Sequence, residues 1–204
     1  MLKLIIDGVK AGIMIAIGGS AFLACENRYL GAALFSVALL CICLKGYSLY
    51  TGKVCYLFQK HDKETFKILF TGLFGNIIST VSLGFVIAYA NPVLKETAIS
   101  ICETKLLQSP LQTLIRAFFC GILVYMAVST FREKGTLSGI FLCVPAFVVA
   151  GFEHSIANMF YFGAAGIISF ESLIYLTIVV LGNSIGGLAM PFLSVIGKAS
   201  PENA

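Results

Sequence analysis

The stretch Ala146–Gly166, AFVVAGFEHSIANMFYFGAAG, decides how the fold of this chain is interpreted. Apart from Glu153 and His154 it carries no formal charge, and most of it could lie in lipid. Ionisable residues inside a membrane segment are costly to bury and are usually functional. The stretch therefore indicates a membrane span with a functional group at its centre.

The composition of the whole chain supports a membrane protein. Hydrophobic residues make up 58% of the 204 residues and charged residues 12%, whereas soluble domains have roughly a quarter charged. A helical span needs about 20 apolar residues, so we predict one domain, 1–204, with six spans. The first span would act as the targeting signal, since no cleavage site is evident. The net charge of +4 is too small and dispersed to suggest nucleic acid as a partner.

Two of the six apolar runs are too long for one helix and are interrupted. The runs fall at roughly 4–24, 29–59, 66–90, 111–131, 137–168 and 170–196. The second is broken within Leu44–Lys53 and the fifth within Gly151–Ser155. Backbone N–H and C=O groups that lack helical hydrogen bonds are tolerated in mid-membrane only where protein buries them or where they line a cavity. We therefore predict an all-α integral membrane fold with broken second and fifth helices and a transport site near the midplane.

Basic residues predict the orientation, because cytoplasmic loops of membrane proteins are enriched in lysine and arginine. With the N-terminus inside, nine basic residues face the cytoplasm and four face outward. The inner residues are Lys3, Lys10, Lys53, Lys60, Lys63, Lys67, Arg132, Lys134 and Lys198, and the outer ones are Arg28, Lys95, Lys105 and Arg116. The bias places both termini in the cytoplasm.

A weak internal repeat relates the two halves of the chain, roughly 1–92 and 106–198. LFGN ends at Asn76 and LGN ends at Asn183, 107 positions later, while the breaks at Thr51 and His154 are 103 apart. Three spans per half is an odd number, so the halves must be inverted across the bilayer. This arrangement predicts that Thr51 lies opposite His154.

The residues at the two breaks are the candidates for function. His154 can exchange a proton near neutral pH, or donate a hydrogen bond to an anion while neutral. Glu153 is interpreted as structural, accepting bonds from exposed amides at the break, and Asn158 as orienting His154 or capping freed carbonyls. Lys45 could attract anions inside the pore, whereas Lys53 would reach the inner surface.

Several other chemistries lack the residues that they need. The seven cysteines lie mostly in apolar runs and are interpreted as reduced packing residues. Only two histidines occur, and neither zinc-type spacing nor a glycine-rich phosphate loop is present. We therefore expect no metal and no cofactor.

With these motifs in view, the chain resembles the formate/nitrite transporter family along essentially its whole length. GFEHSIANMF resembles the family signature in the fifth span, and GYSLYTGK resembles the Gly-Ala-Asp/Glu-Leu-Phe-Thr-Gly motif at the second break. LFGN and LGNSIGG also look like family features. The resemblance implies homopentamers of aquaporin-like protomers, each with its own pore for small monovalent anions.

The resemblance also implies roles for individual residues. His154 matches the central pore histidine, Thr51 the facing threonine, and Lys105 a lysine near the outer vestibule. The implied constrictions are Phe35 and Phe147 on the outer side and Leu39, Leu49 and Val124 on the inner side. The chain departs from the family pattern at Ser48, where the motif has a carboxylate, at Gly121, where asparagine is usual, and at Lys45.

The sequence thus predicts a channel in the cytoplasmic membrane for weak-acid anions such as formate, nitrite or hydrosulfide, with small anions and protons as its partners. One alternative is an aquaporin-like channel for a neutral solute, although its paired Asn-Pro-Ala turns are missing and Asn91-Pro92 is expected in a loop. A less favoured alternative is a membrane-embedded enzyme that uses Glu153 and His154. For the pentamer, small residues in Gly12–Ala21 would let helices of neighbouring protomers approach closely.

Overall fold

The computed structural model describes residues 1–58 and 60–199, and the regular structure in this part of the chain is entirely helical. The predicted all-α class is therefore confirmed. Outside the described part lie Gln59, residues 200–204 and the side chain of Lys198. The predicted domain includes all of them, and the predicted orientation uses the charge of Lys198. The described elements are α1 (Leu2–Ala24), α2 (Arg28–Lys45), α3 (Tyr50–Lys53), a 3₁₀ segment (Val54–Phe58), α4 (Lys63–Ala90), α5 (Pro92–Leu106), α6 (Pro110–Lys134), α7 (Ser138–Val149), α8 (Ser155–Ala165) and α9 (Phe170–Ala199).

Among the described residues, five helices are long and apolar enough to cross a membrane, namely α1, α2, α4, α6 and α9. The predicted fifth span is made by two shorter helices, α7 and α8, that follow one another across the break. The count of six spans remains a prediction. Large apolar side chains cover the outer surface, including Phe70, Phe74 and Phe85 of α4, as expected for helices in contact with lipid.

Both predicted breaks are present, and each contains a glycine in the left-handed region. α2 ends at Lys45, and Gly46 follows with φ of 68°. α7 ends at Val149, and Gly151 has φ of 71°. Glycine adopts this conformation without the steric penalty that a Cβ atom brings. The chain then runs extended for a few residues before the next helix begins.

Asn76 of α4 fixes the first break to its neighbours. Its side-chain Nδ2 donates to the carbonyls of Gly8 (2.8 Å) and Ser48 (2.9 Å). Its Oδ1 accepts from the backbone N–H of Tyr50 at 2.9 Å. One buried amide thus satisfies two backbone groups at the break, the Ser48 carbonyl and the Tyr50 N–H, and ties them to the Gly8 carbonyl of α1.

Asn183 of α9 makes the same set of bonds at the second break. Its Nδ2 donates to the carbonyls of Ala117 (2.9 Å) and Glu153 (2.7 Å), and its Oδ1 accepts from Ser155 N–H at 2.8 Å. The asparagines of the two Gly-Asn motifs therefore make equivalent hydrogen bonds in the two halves. This equivalence supports the inverted repeat, while its bounds, 1–92 and 106–198, remain a prediction.

The asparagine bonds correct the register of the repeat. They relate Ser48 to Glu153 and Tyr50 to Ser155, and both pairs are 105 positions apart. The residue equivalent to His154, the N-cap of α8, is Leu49, the N-cap of α3. Treating Thr51 as the counterpart of His154 was therefore wrong by two positions, although the two residues do lie opposite one another.

Two further expectations are wrong. Pro92 does not lie in a loop but begins α5, with Asn91 as its N-cap. This helix packs against α8 and α4 and carries several charges, so it gave no membrane signal. The small residues of α1 are used inside the protomer, where Gly12 faces Ser79 of α4 and Gly19 faces Phe160 of α8.

Candidate functional site

A hydrogen bond joins the two breaks at the centre of the protein. Thr51 Oγ1 lies 3.0 Å from His154 Nε2, and both residues are buried, with exposed fractions of 2% and 4%. The predicted juxtaposition of these side chains is confirmed. It arises because α3 and α8 begin at the two breaks, and because the side chains of Asn76 and Asn183 hold those breaks by hydrogen bonds.

The second ring nitrogen of His154 caps helix α8. Its Nδ1 accepts from the backbone N–H of Ala157 at 3.1 Å. A nitrogen that accepts this bond carries no proton, so in the neutral ring the proton is on Nε2. Nε2–H therefore donates to Thr51 Oγ1, and the threonine hydroxyl hydrogen remains available to another acceptor.

One phenylalanine packs on the histidine, and a second packs on the first. The ring of Phe147 stacks on His154 with centroids 5.7 Å apart and an interplanar angle of 14°. Phe35 meets Phe147 edge to face at 6.3 Å. Both phenylalanines are 3% exposed and line the first cavity together with His154, so apolar rings lie beside the histidine on this side.

Glu153 is the buried anion of the site and belongs to a side-chain network. Lys105 Nζ donates to its Oε2 at 2.5 Å, Gln108 to Oε1 at 2.8 Å, and Asn158 to Oε2 at 2.9 Å. The expectation that the Glu153 carboxylate binds backbone amides is therefore wrong. Asn158 neither orients His154 nor caps carbonyls through its side-chain amide, because that amide donates to Glu153.

The first cavity lies beside this network and has a volume of about 370 Å³. His154, Phe35 and Phe147 line it together with three cationic side chains, Arg28, Lys105 and Arg116. Glu153 is the only carboxylate among its described lining residues. The Lys105 ammonium is paired with Glu153, so the excess positive charge of the cavity comes from the two arginines.

The second cavity lies on the other side of the breaks and has a volume of about 160 Å³. Leu39 and Leu49 line it, as do Lys53 and Arg132. Val124 is 1% exposed but is not part of either cavity wall. The Thr51–His154 pair lies between the cavities, since His154 lines the first and the neighbours of Thr51 line the second.

The remaining predicted residues lie elsewhere. Lys45, the last residue of α2, is exposed and lines neither cavity, so the expectation that it acts inside the pore is wrong. Ser48 is buried, and its carbonyl accepts from Asn76. Within residues 1–58 and 60–199, no group of three or more histidine, cysteine or acidic residues could hold a metal ion.

Sequence reasoning missed Gln108, Arg28, Arg116 and Arg132 as residues of the cavities or their network. Gln108 follows α5 in a segment without a motif, and no local pattern links it to Glu153. The three arginines were used only as orientation signals at span ends. The position of Arg28 in the sequence could have indicated its role. An arginine at the end of one span can reach the backbone that is exposed by a break in a neighbouring span. Arg28 does so, donating to the carbonyls of Val148 and Val149.

Comparison with known proteins gives a consistent set of relatives. A family model described as "Formate/nitrite transporter" matches residues 1–196. The formate channel BtFdhC of Bacillus thuringiensis is 32% identical, over 78% of this chain and 68% of that protein. The formate-nitrite transporter of Plasmodium knowlesi (strain H) is 26% identical over 78% of this chain. The chain covers 58% to 63% of the length of that protein and three other Plasmodium relatives.

Two solved structures share the fold. One, described as an "FNT family ion channel", superposes with a TM-score of 0.80 at 20% identity, covering 98% of this chain and 89% of that chain. The other is a pentameric formate channel with formate bound, with a TM-score of 0.82 at 24% identity and coverage of 97% and 96%. At these identities the likeness concerns the fold.

Proposed function

Because the chain belongs to the formate/nitrite transporter family, we propose that it is a channel for small monovalent weak-acid anions such as formate, nitrite or hydrosulfide. The observation that carries the proposal is the Thr51–His154 hydrogen bond, which lies between two cavities in an otherwise apolar constriction. The family is one of transporters, so a membrane-embedded enzyme has no support from it.

The first cavity concentrates anions. Arg28, Arg116 and Lys105 contribute three positive charges and Glu153 one negative charge, so the cavity carries a net positive charge. A cleft of one charge sign with low-dielectric walls raises the local concentration of counter-ions. This cavity favours an anion over a neutral solute, and for that reason we prefer an anion channel to an aquaporin-like channel.

The apolar constriction then selects for weak acids. An anion that leaves water for the space between Phe35, Phe147, Leu39 and Leu49 loses hydration that these side chains cannot replace. Desolvation raises the pKa of a weak acid, so that formate or nitrite becomes neutral by binding a proton. A permanent anion such as chloride lacks this route and is held back.

His154 and Thr51 supply hydrogen bonds in the dry zone. The Nε2–H of His154 can turn from Thr51 Oγ1 to an oxygen of the substrate, and the threonine hydroxyl can donate to the same substrate. If His154 itself carried the transferred proton, both nitrogens would be protonated and the Nδ1 cap of α8 would be lost. We therefore propose that His154 directs the substrate and that the proton comes from the aqueous cavity.

The proposal extends to location and assembly. We place the chain in the cytoplasmic membrane as a multi-pass protein with both termini inside, from the distribution of basic residues. We propose a homopentamer in which each protomer has its own path, because both cavities and the pair between them are built by one chain. Neither a cofactor nor nucleic acid enters the proposal.

A flux panel in proteoliposomes tests the proposal. Formate, nitrite, acetate, lactate and hydrosulfide are compared with chloride at equal amounts of protein, and His154→Phe serves as the matched inactive control. We expect flux of at least one weak-acid anion, little chloride flux, and loss of the weak-acid flux in the control. Equal flux of chloride and formate, or passage of neutral solutes alone, would contradict the proposal.

A further inference from the structure

We propose that the second cavity contains an anion-binding site formed by Lys53 and Arg132, which takes a small monovalent anion as it enters or leaves the constriction. The inference rests on the proposed function and adds to it a binding step on the side of the protein opposite Glu153. It assigns this step to residues that neither the motifs nor the resemblance placed in the pathway.

The first argument is the charge of the cavity wall. Lys53 and Arg132 are its charged lining residues, and no carboxylate is among the described side chains that line it. The four ion pairs found among residues 1–58 and 60–199 involve other cations. Two positive side chains directed into one cavity repel each other, and an anion between them removes that repulsion.

The second argument is the way in which Arg132 is held. Its guanidinium lies over the ring of Tyr56, with Cζ 4.1 Å from the ring centroid. A guanidinium held over an aromatic ring by its carbon atom can still use its N–H groups to bind an anion. Those N–H groups are the ones that bind a carboxylate or nitrite through two oxygens.

The third argument is the position of the cavity relative to the constriction. Leu39 and Leu49 line it as well as the two cations, so an anion held there lies directly against the apolar zone. A volume of about 160 Å³ holds a small anion and a few waters, each of which occupies about 30 Å³ in the liquid. The site is therefore sized for a formate-like ion and for partial hydration.

The two cavities thus differ in how their charge is arranged. In the first cavity the lysine is neutralised by a buried carboxylate within a hydrogen-bonded network. In the second cavity both cations face the open volume without such a partner among the described residues. An anion in the second cavity therefore does not compete with a carboxylate among its described lining residues.

Cys43 provides a direct probe, because its side chain lines the second cavity and its thiol is free. The experiment measures how fast Cys43 is modified by an anionic and by a neutral methanethiosulfonate reagent, with residue-resolved mass spectrometry. The ratio of the two rates reports local anion accumulation, since any change in thiol reactivity affects both reagents equally. Each rate is measured with and without nitrite or formate.

In the wild type we expect the ratio to favour the anionic reagent and to fall roughly tenfold in the Lys53→Gln/Arg132→Gln double variant. Nitrite or formate should slow the anionic reagent in the wild type but not in the double variant. Lys45→Gln is the matched control, since this exposed lysine lines neither cavity, and its ratio should equal that of the wild type. Should the double variant not fold, the two single variants give the same comparison.

Two results would overturn the site: an equal ratio in the wild type and the double variant, or a charge-dependent ratio without protection by nitrite or formate. Flux in oriented vesicles then separates the site from the proposed function. We expect the half-saturating formate concentration on the second-cavity side to rise several-fold in the double variant. A wild type that shows protection of Cys43 but conducts no anion would disprove the proposed channel and leave the binding site standing.

Discussion

At the scale of single residues, His154 combines a structural bond with a functional one. Nδ1 holds the first turn of α8, and Nε2 faces Thr51 across the constriction. A substitution of this histidine therefore removes both the cap of α8 and the bond to Thr51, unless the new side chain keeps one of these two bonds. Asparagine is suited to separate them, because it is a strongly preferred N-cap residue.

We predict that His154→Asn folds normally but transports poorly. The asparagine Oδ1 can cap α8, whereas its shorter side chain cannot also donate at the position of Nε2. Weak-acid flux should fall at least tenfold, which corresponds to about 1.4 kcal/mol in the barrier. The measurement is formate and nitrite flux across pH 5 to 8, with helix content followed by circular dichroism. Wild-type flux of every anion would show that His154 only packs and caps.

The Lys105–Glu153 pair is the second test at this scale. Removing one partner of a buried ion pair leaves an uncompensated charge and costs about 3–5 kcal/mol. We predict that Glu153→Gln and Lys105→Met each lower the thermal unfolding temperature in detergent, and that the double variant loses less than the sum of the two. Additive losses in this double-mutant cycle would mean that the 2.5 Å contact contributes little.

The sequence contained part of this site. Glu153, His154 and Thr51 stand out because polar groups in an apolar run need a reason to be there, and their approach followed from the inverted repeat. The partners of Glu153 could not be found in this way. Lys105 and Gln108 are more than forty positions away in sequence, on and after a helix that gave no membrane signal, and only folding brings them to the carboxylate.

At the scale of helices and breaks, the side chains of Asn76 and Asn183 hold the two breaks in place. Each asparagine replaces the hydrogen bonds that an interrupted helix forfeits, in a region where lipid offers none. The Gly-Asn repeats made the equivalence of the halves visible in the sequence. The correct register of 105 positions was not visible, because it depends on which carbonyl and which N–H each side chain reaches.

We predict that Asn183→Asp destabilises the fold strongly. The aspartate would place an oxygen against the carbonyls of Ala117 and Glu153, where Nδ2 now donates at 2.9 and 2.7 Å. The loss of two donors to buried acceptors should cost about 3 kcal/mol or more. The matched control is Asn91→Asp, because at the N-cap of α5 the side-chain oxygen is the atom that accepts from Leu94. Equal unfolding temperatures for the two variants would contradict the proposed role of the Asn183 amide in holding the second break.

The start of α4 offers a pH-dependent test outside the membrane. The Thr65 hydroxyl and backbone N–H, followed by Lys60, lower the pKa of Asp62 from 3.8 to about 2. A lowered pKa means that the cap is fully formed above pH 3.8 and is lost as the pH falls through about 2. Asp62→Ala should remove this dependence and speed amide exchange in the first turn of α4 at neutral pH. Unchanged exchange at residues 63–66 would show that the cap is dispensable.

At the scale of the whole molecule, one protomer contains both cavities, and large apolar side chains cover much of its exterior. The two cavities and the Thr51–His154 pair are enclosed by helices of one chain, whereas large apolar side chains face outward on several helices. Contacts between protomers would therefore cover part of the outer surface without completing the site. Gly12, Gly18 and Gly19 of α1 already pack against other helices of the same protomer, so these glycines are not available for contacts between protomers.

This arrangement predicts how mixed pentamers behave. If five protomers each conduct alone, co-assembly of wild-type chains with His154→Phe chains should lower flux in proportion to the wild-type fraction. At equal mixing about half of the flux remains, whereas one path shared by five subunits and blocked by any of them would leave about 3%. Native mass measurement of the 21.9 kDa chain in mild detergent tests whether the assemblies are pentamers. The proportional result requires separate paths, and a steep loss of flux at low variant fractions would place the route between the subunits.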